Sequence, residues 1–284
     1  MEVTQKRRPE GLVHEAALPG TGDPGDHAED AEGKAHVDVL QVVVLRALEF
    51  DPRGGPTALV RDRDRAPSGQ VGAGEGDGVF EGRTVLDYGC GKGKLAEMLA
   101  DAGWSVIAYD PNSTLAEKWR NMDGGVEFGG HPLLAELRSG CVTFDAVVCC
   151  LVLCLLDDHD LHEVLVDLGR FTAQGGLLVV AVCNPRFVRG TTQLQRRFAP
   201  DGVGENDVFR LEKLIFSTDV RIVDVHRPVQ QYFDRFRQHG FTVEDIAETP
   251  GVDLETFDRN SDFMVFHLRR VSENEKEGLH HARL

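Results

Sequence analysis

Residues 85–95 read VLDYGCGKGKL. A short apolar run meets three glycines, Gly89, Gly91 and Gly93, and then Leu95, Met98 and Leu99 recur at helical spacing. This is strand, turn, helix. Glycines at alternate positions let the backbone take left-handed conformations and come close to a ligand at the sheet edge. Two familiar glycine loops fail on spacing. The dinucleotide pattern GxGxxG, begun at Gly89, needs a glycine where Lys94 stands. The phosphate loop GxxxxGK[ST] needs a glycine where Tyr88 stands and a hydroxyl where Leu95 stands. What remains is DxGxGxG, matched in full by Asp87, Gly89, Gly91 and Gly93.

A carboxylate two residues before the first glycine would repel a pyrophosphate. It suits a ligand that carries positive charge next to a nucleoside. S-adenosylmethionine, with its sulfonium and α-ammonium, is such a ligand. Further on, residues 105–109 (SVIAY) form a second apolar run that ends at Asp110, 17 residues after Gly93. A carboxylate there can accept hydrogen bonds from both ribose hydroxyls. The plain alternative for Asp110 is a strand-end cap before Pro111.

Outward from the loop, strands and helices alternate. Residues 84–88, 105–109, 126–128, 144–150 and 177–183 read as strands; 94–102, 113–121, 161–171 and 229–239 read as helices, the last stopped by Gly240. Residues 144–150 (FDAVVCC) and 177–183 (LLVVAVC) are apolar throughout, as strands covered on both faces are. Gly175–Gly176 reads as the turn before the fifth strand. Residues 241–248 and 262–269 read as a closing antiparallel pair. The expectation is an α/β fold: a doubly wound, mostly parallel seven-stranded sheet with an antiparallel C-terminal strand.

The chain has 284 residues, with 47 Asp+Glu against 31 Lys+Arg and a net charge of −16. That balance disfavours nucleic acid as a partner, since duplex binding runs on Lys and Arg neutralising phosphates, and it disfavours anionic membrane surfaces. No apolar run reaches the roughly 18 residues of a membrane span, and the first residues lack a signal-peptide core. The expectation is a cytoplasmic protein. Its six cysteines (90, 141, 149, 150, 154 and 183) contain no CxxC pair and no zinc spacing with histidine, so no metal is expected and the thiols read as mostly buried and reduced.

Residues 1–80 are rich in Gly and Pro, with Phe50 and Phe80 their only aromatics. They read as a low-complexity, partly disordered extension, with 37–48 left open between strand and helix. Residues 272–284 read as a polar tail. Residues 186–228 carry seven arginines and one lysine against six carboxylates. They read as a solvated, mildly basic insertion, with Arg196 and Arg197 as candidates for favouring an anionic substrate.

From residue 81 to about 270 the chain resembles class I S-adenosylmethionine-dependent methyltransferases. The likeness rests on VLDYGCGKG, VIAYDPN, FDAVVCCLVLCLLDD and GGLLVVAVCNP. HRPVQQYFDRFRQHGFTVEDIAE resembles the type 11, menaquinone-biosynthesis-like small-molecule subgroup. The resemblance implies methyl transfer from S-adenosylmethionine to a small molecule by in-line displacement, within a domain over 81–271 capped by 186–228. It implies cofactor contacts from Asp87, the Gly89–Cys90–Gly91–Gly93 backbone, Asp110, Pro111, Cys150 and Leu151. His226, in VHRP, is the candidate base where the acceptor must lose a proton. His159 and His162 read as surface residues, and Asp157 and Asp158 as helix-start charges. The alternative is a non-catalytic S-adenosylmethionine-binding regulator on the same fold. A nicotinamide-dependent oxidoreductase is disfavoured by the glycine spacing. Two departures from the family stand out: Phe128-Gly129-Gly130-His131 lacks the acid usually found near the adenine, and residues 1–80 lack a tyrosine for the expected lid.

Overall fold

The computed structural model describes residues 83–120 and 125–271. The expectations for 1–80 and 272–284 lie outside them. Strands β1 (Thr84–Tyr88), β2 (Ser105–Tyr109), β3 (Val126–Gly129), β4 (Phe144–Cys150) and β5 (Thr172–Cys183) alternate with helices. These are α1 (Lys94–Asp101), a 3-10 turn (Ser113–Leu115) running into α2 (Ala116–Trp119), α3 (His131–Ser139) and α4 (Asp158–Phe171). Four further strands follow: β6 (Gly190–Thr191), β7 (Gln195–Phe198), β8 (Phe209–Ile215) and β9 (Val220–His226). The described chain closes with α5 (Val229–Gln238), β10 (Phe241–Glu248) and β11 (Phe263–Arg270).

The main sheet has seven strands in the order β10-β11-β5-β4-β1-β2-β3. β1 pairs in parallel with β2 and β4, and β4 with β5. β11 is antiparallel to both β5 and β10. The expected doubly wound sheet and its antiparallel C-terminal strand are present.

Period-two alternation sends neighbouring apolar residues to opposite faces. Leu86, Val147 and Val180 join α3, α4 and α5 on one side, through Leu134, Leu137, Leu161, Leu165, Leu168 and Phe236. Val85, Val148 and Val179 join α1 on the other, through Leu95, Ala96 and Leu99. This is why 144–150 and 177–183 read as continuous apolar runs. Phe236 is fully buried and meets Phe266 edge-on, ring centres 5.3 Å apart.

Inside the first layer a polar staple ties β1, α3 and α4. Asp167 accepts from the Tyr88 hydroxyl at 3.1 Å and from the Arg138 fork at 2.9 and 2.5 Å. Burial, then the Asp167 charge, push the Tyr88 phenol well above its usual range.

Two sequence expectations are corrected. Gly175–Gly176 is not a turn ahead of β5 but lies inside it, where the register against β4 shifts. Gly175 takes φ +73°, and a Cβ on Gly176 would come within 2.8 Å of the Ala173 carbonyl, so the pair lets the strand bulge and continue. Residues 186–228, expected as a solvated insertion, are instead partly buried. They carry a four-stranded antiparallel sheet, β6-β7-β8-β9, whose buried side is mainly polar: Gln195, Arg197, Lys213, Asp224 and His226. Arg197 donates to the Asn184 carbonyl at 2.8 Å, the Asp262 carbonyl at 2.7 Å and the Phe187 carbonyl. These bonds rivet the small sheet to the chain leaving β5 and to the start of β11. No helix among the described residues is long and apolar enough to cross a membrane.

Candidate active site

The C-terminal ends of β1, β2 and β4 share one edge. Asp87 stands opposite Ala108 and Val148, so Asp110 and Cys150 fall just beyond it on the flanking strands. The chain order reverses between β1 and β4, the crevice where open α/β sheets bind ligands. The sequence-derived residues Asp87, Gly89, Cys90, Gly91, Gly93, Asp110, Pro111, Cys150 and Leu151 gather at or beside this edge.

The glycine turn needs its glycines. Gly89, Gly91 and Gly93 take φ of 82°, 53° and 82°. A Cβ at Gly89 would lie 2.3 Å from Val152 Cγ2, so the loop after β4 presses on the turn. The Gly89 and Cys90 amides both donate to the Tyr109 carbonyl at 2.7 and 2.9 Å, which pins the turn to β2. Asp110, half-buried, accepts from Gly91 N at 2.8 Å and Asn112 N at 2.9 Å. Each of its oxygens keeps a second lone pair for a ligand hydroxyl.

Asp87 is 2% exposed, and its Oδ2 has no hydrogen-bond partner among the described residues. Burial, reinforced by the Asp110 charge, raises its pKa to about 7. A buried acceptor without a donor is costly; a cationic ligand donor would relieve it.

The thiols around the edge are inert nucleophiles. Burial, then the Asp87 charge, push Cys149 and Cys150 far above the usual thiol range. Burial, then Asp87 and Asp110, do the same to Cys90. Leu151, directly after β4, takes φ 59°, and its amide N–H donates a hydrogen bond to the Ala181 carbonyl at 2.8 Å. Such strain in a non-glycine residue clusters at ligand sites.

Both ring nitrogens of His226 are engaged. Its Nδ1 is 2.8 Å from the Asp207 carbonyl, its Nε2 is 2.9 Å from the Pro185 carbonyl, and Phe209 stacks on the ring. With a carbonyl at each nitrogen, the ring holds the small sheet to the end of β5 and turns no unengaged nitrogen toward the glycine turn. Arg196 is exposed and stands 4.0 Å from Glu255, while Arg197 is consumed by carbonyls, so the two do not form an anion cradle. Asp157 caps α4 by accepting from His159 N and Asp160 N.

Two residues of the site were not singled out from sequence. Trp119 Nε1 donates to the Gly91 carbonyl at 3.1 Å and its ring stacks on Phe128 at 5.7 Å. Its spacing from the glycines gave no local signal. Arg227 is fully buried and fixes the loop after β4 by donating to the carbonyls of Leu153 and Leu156 at 3.3 and 2.7 Å and to Asp158 at 3.0 Å. The signal was the HRP triplet, from which only the histidine was singled out.

A family described as a methyltransferase domain matches residues 42–245, more than half of the chain. A ubiquinone biosynthesis O-methyltransferase of Caulobacter sp. strain K31 is 32% identical over 161 residues, covering 52% of this chain and 62% of the relative. One of the same name from Caulobacter vibrioides is 30% identical over the same shares. The chain thus spans less than two thirds of these relatives' length. Among solved structures, the PH0226 protein of Pyrococcus horikoshii OT3 superposes with a TM-score of 0.54 at 14% identity, over 86% of this chain and 93% of that one. The overlap shows a shared fold. With the glycine turn, the sheet order and the matched span together, the chain belongs to the methyltransferase-domain family.

Proposed function

We propose that the protein binds S-adenosylmethionine at the β1–β2–β4 edge and transfers its methyl group to a small-molecule acceptor. The observation that carries this reading is the buried, unpartnered Asp87 Oδ2 below a glycine turn. A carboxylate so placed fits a cation-bearing nucleoside and disfavours a dinucleotide pyrophosphate. The donor set fits the group: Asp87 for the charged methionyl end, the Gly89–Gly93 backbone along it, Asp110 for the ribose, and Pro111 beside the adenine. Cys150 and Leu151 border the methyl side. When bound, S-adenosylmethionine supplies an electrophilic methyl on a neutral leaving group.

The chain's own residues then orient and exclude water. Arg227 fixes the loop that bears on the glycine turn, and Trp119 fixes the turn from the other side. Positioning of this kind is worth roughly 7–11 kcal/mol where the geometry is a near-attack one. Burial keeps the Cys149 and Cys150 thiols protonated, so they do not compete as methyl acceptors. The small sheet, tied to the chain that leaves β5, is the candidate cover for the acceptor side. The relatives' printed name, an O-methyltransferase, supports an oxygen acceptor. The protein acts in the cytoplasm.

The test is adenosylhomocysteine release over a library of hydroxylated small molecules. Acceptor-dependent release is the expected result. Binding of S-adenosylmethionine with no release across the library, and none with protein or nucleic-acid acceptors, would make the chain a non-catalytic binder.

A further inference from the structure

Apart from the glycine turn, the described residues hold one buried group of three side chains with metal-ligating or nucleophilic atoms. Cys154, in the loop after β4, Cys183, the last residue of β5, and Asp224, on β9, place their ligand atoms within 4.8 Å of one another. The Lys213 ammonium sits among them, 3.0 Å from Cys183 Sγ and 2.6 Å from Asp224 Oδ2. A soft metal ion is one reading of two thiols and a carboxylate. The lysine speaks against it, because a dication would have to displace an ammonium already bonded to two of the three ligands.

We propose that Cys154 and Cys183 are a redox pair that closes to a reversible disulfide, tying the loop after β4 to the end of β5. Lys213 and Asp224 neutralise each other. The neighbouring Cys154 side chain, and then the Lys213 ammonium at 3.0 Å, hold Cys183 below the usual thiol range despite burial, while the Cys154 thiol donates to the Leu151 carbonyl at 3.5 Å. The Cys183 side chain beside it and burial raise the Cys154 thiol. One sulfur is thus the attacking thiolate and its neighbour the resolving thiol. Both line a small crevice under the polar sheet, beside Asn184, His226 and Tyr232.

The co-reactant is hydrogen peroxide. The Cys183 thiolate attacks one peroxide oxygen, the O–O bond breaks, and hydroxide leaves with the electron pair and takes up the proton that Cys183 released, giving the first water; Cys183 becomes a sulfenic acid. The Cys154 sulfur then attacks Cys183, the S–O bond breaks, and the Cys154 proton leaves with that oxygen as water. Overall two thiols and one peroxide give one disulfide and two waters. A dithiol reverses the change by exchange.

The experiment is hydrogen peroxide treatment of the native full chain, followed by intact mass and peptide mapping. The expected result is a loss of two hydrogen atoms, a peptide cross-linking Cys154 to Cys183, and full reversal by dithiothreitol. Cys154→Ser is expected to trap dimedone-reactive sulfenic acid at Cys183. If that variant does not fold, the wild-type peptide map decides alone. Oxygen added only at the exposed Cys141, a cross-link between other cysteines, or stoichiometric zinc released by a chelator overturns the proposal. None of these readouts depends on methyl transfer.

Discussion

Asp87→Asn separates a structural carboxylate from one kept for a ligand. The folded chain raises this group from 3.8 to about 7, by burial first and the Asp110 charge second. Because the folded pKa is raised, the stability it contributes is full below the unfolded value near 4 and is lost as pH rises through about 7. The shift corresponds to at most about 4 kcal/mol. Asparagine has the same shape and cannot ionise. Without ligand, the variant should match the wild type near pH 4 and be more stable at about pH 8, by up to about 4 kcal/mol. With ligand the sign reverses. Removing a charge-assisted hydrogen bond costs about 1.5–3 kcal/mol, so S-adenosylmethionine should bind roughly 10- to 150-fold more weakly. Urea unfolding at both pH values and calorimetric titration measure the two effects. A variant that is less stable at the higher pH, or that binds with wild-type affinity, refutes the reading of Asp87 as a ligand carboxylate.

Three further substitutions probe the surroundings. Gly89→Ala combines a left-handed φ with a clash against Val152 and should cost about 2–5 kcal/mol in thermal or urea unfolding; an unchanged midpoint would show that the loop after β4 yields. Arg227→Lys keeps the charge but loses the fork, and should cost about 2–3 kcal/mol, with faster amide exchange confined to residues 151–158; uniform exchange would deny it that local role. Lys213→Met leaves Asp224 buried, with its Oδ1 already unpartnered, and should cost about 3–5 kcal/mol. Adding Asp224→Asn should recover most of that loss, and a purely additive double variant would contradict the pairing.

The main sheet was legible because its strands are buried on both faces. Runs such as 144–150 have no polar side to blur them, and the glycines mark where they stop. α3 was not among the expected helices, although Leu133, Leu134 and Leu137 carry helical spacing behind Pro132. The small sheet was illegible for a physical reason. Its buried face is made of Gln195, Arg197, Lys213, Asp224 and His226, so the alternation that marks a strand by apolar residues is inverted and reads as a solvated surface. In the site, the carboxylates and glycines followed from the chemistry a cationic nucleoside demands. Trp119 and Arg227 act through contacts 28 and 71 residues away in sequence, which no local pattern encodes. His226 was a natural base candidate by residue type, and only the two carbonyls at its ring show it held in place.

Calorimetric titration of the wild-type chain with S-adenosylmethionine, and in parallel with NADH, tests the reading most directly. Saturable one-to-one binding of S-adenosylmethionine, abolished by Asp110→Ala, with no heat from NADH, is the expected result. Binding of NADH instead, or S-adenosylmethionine affinity that survives both Asp87→Asn and Asp110→Ala, would contradict it.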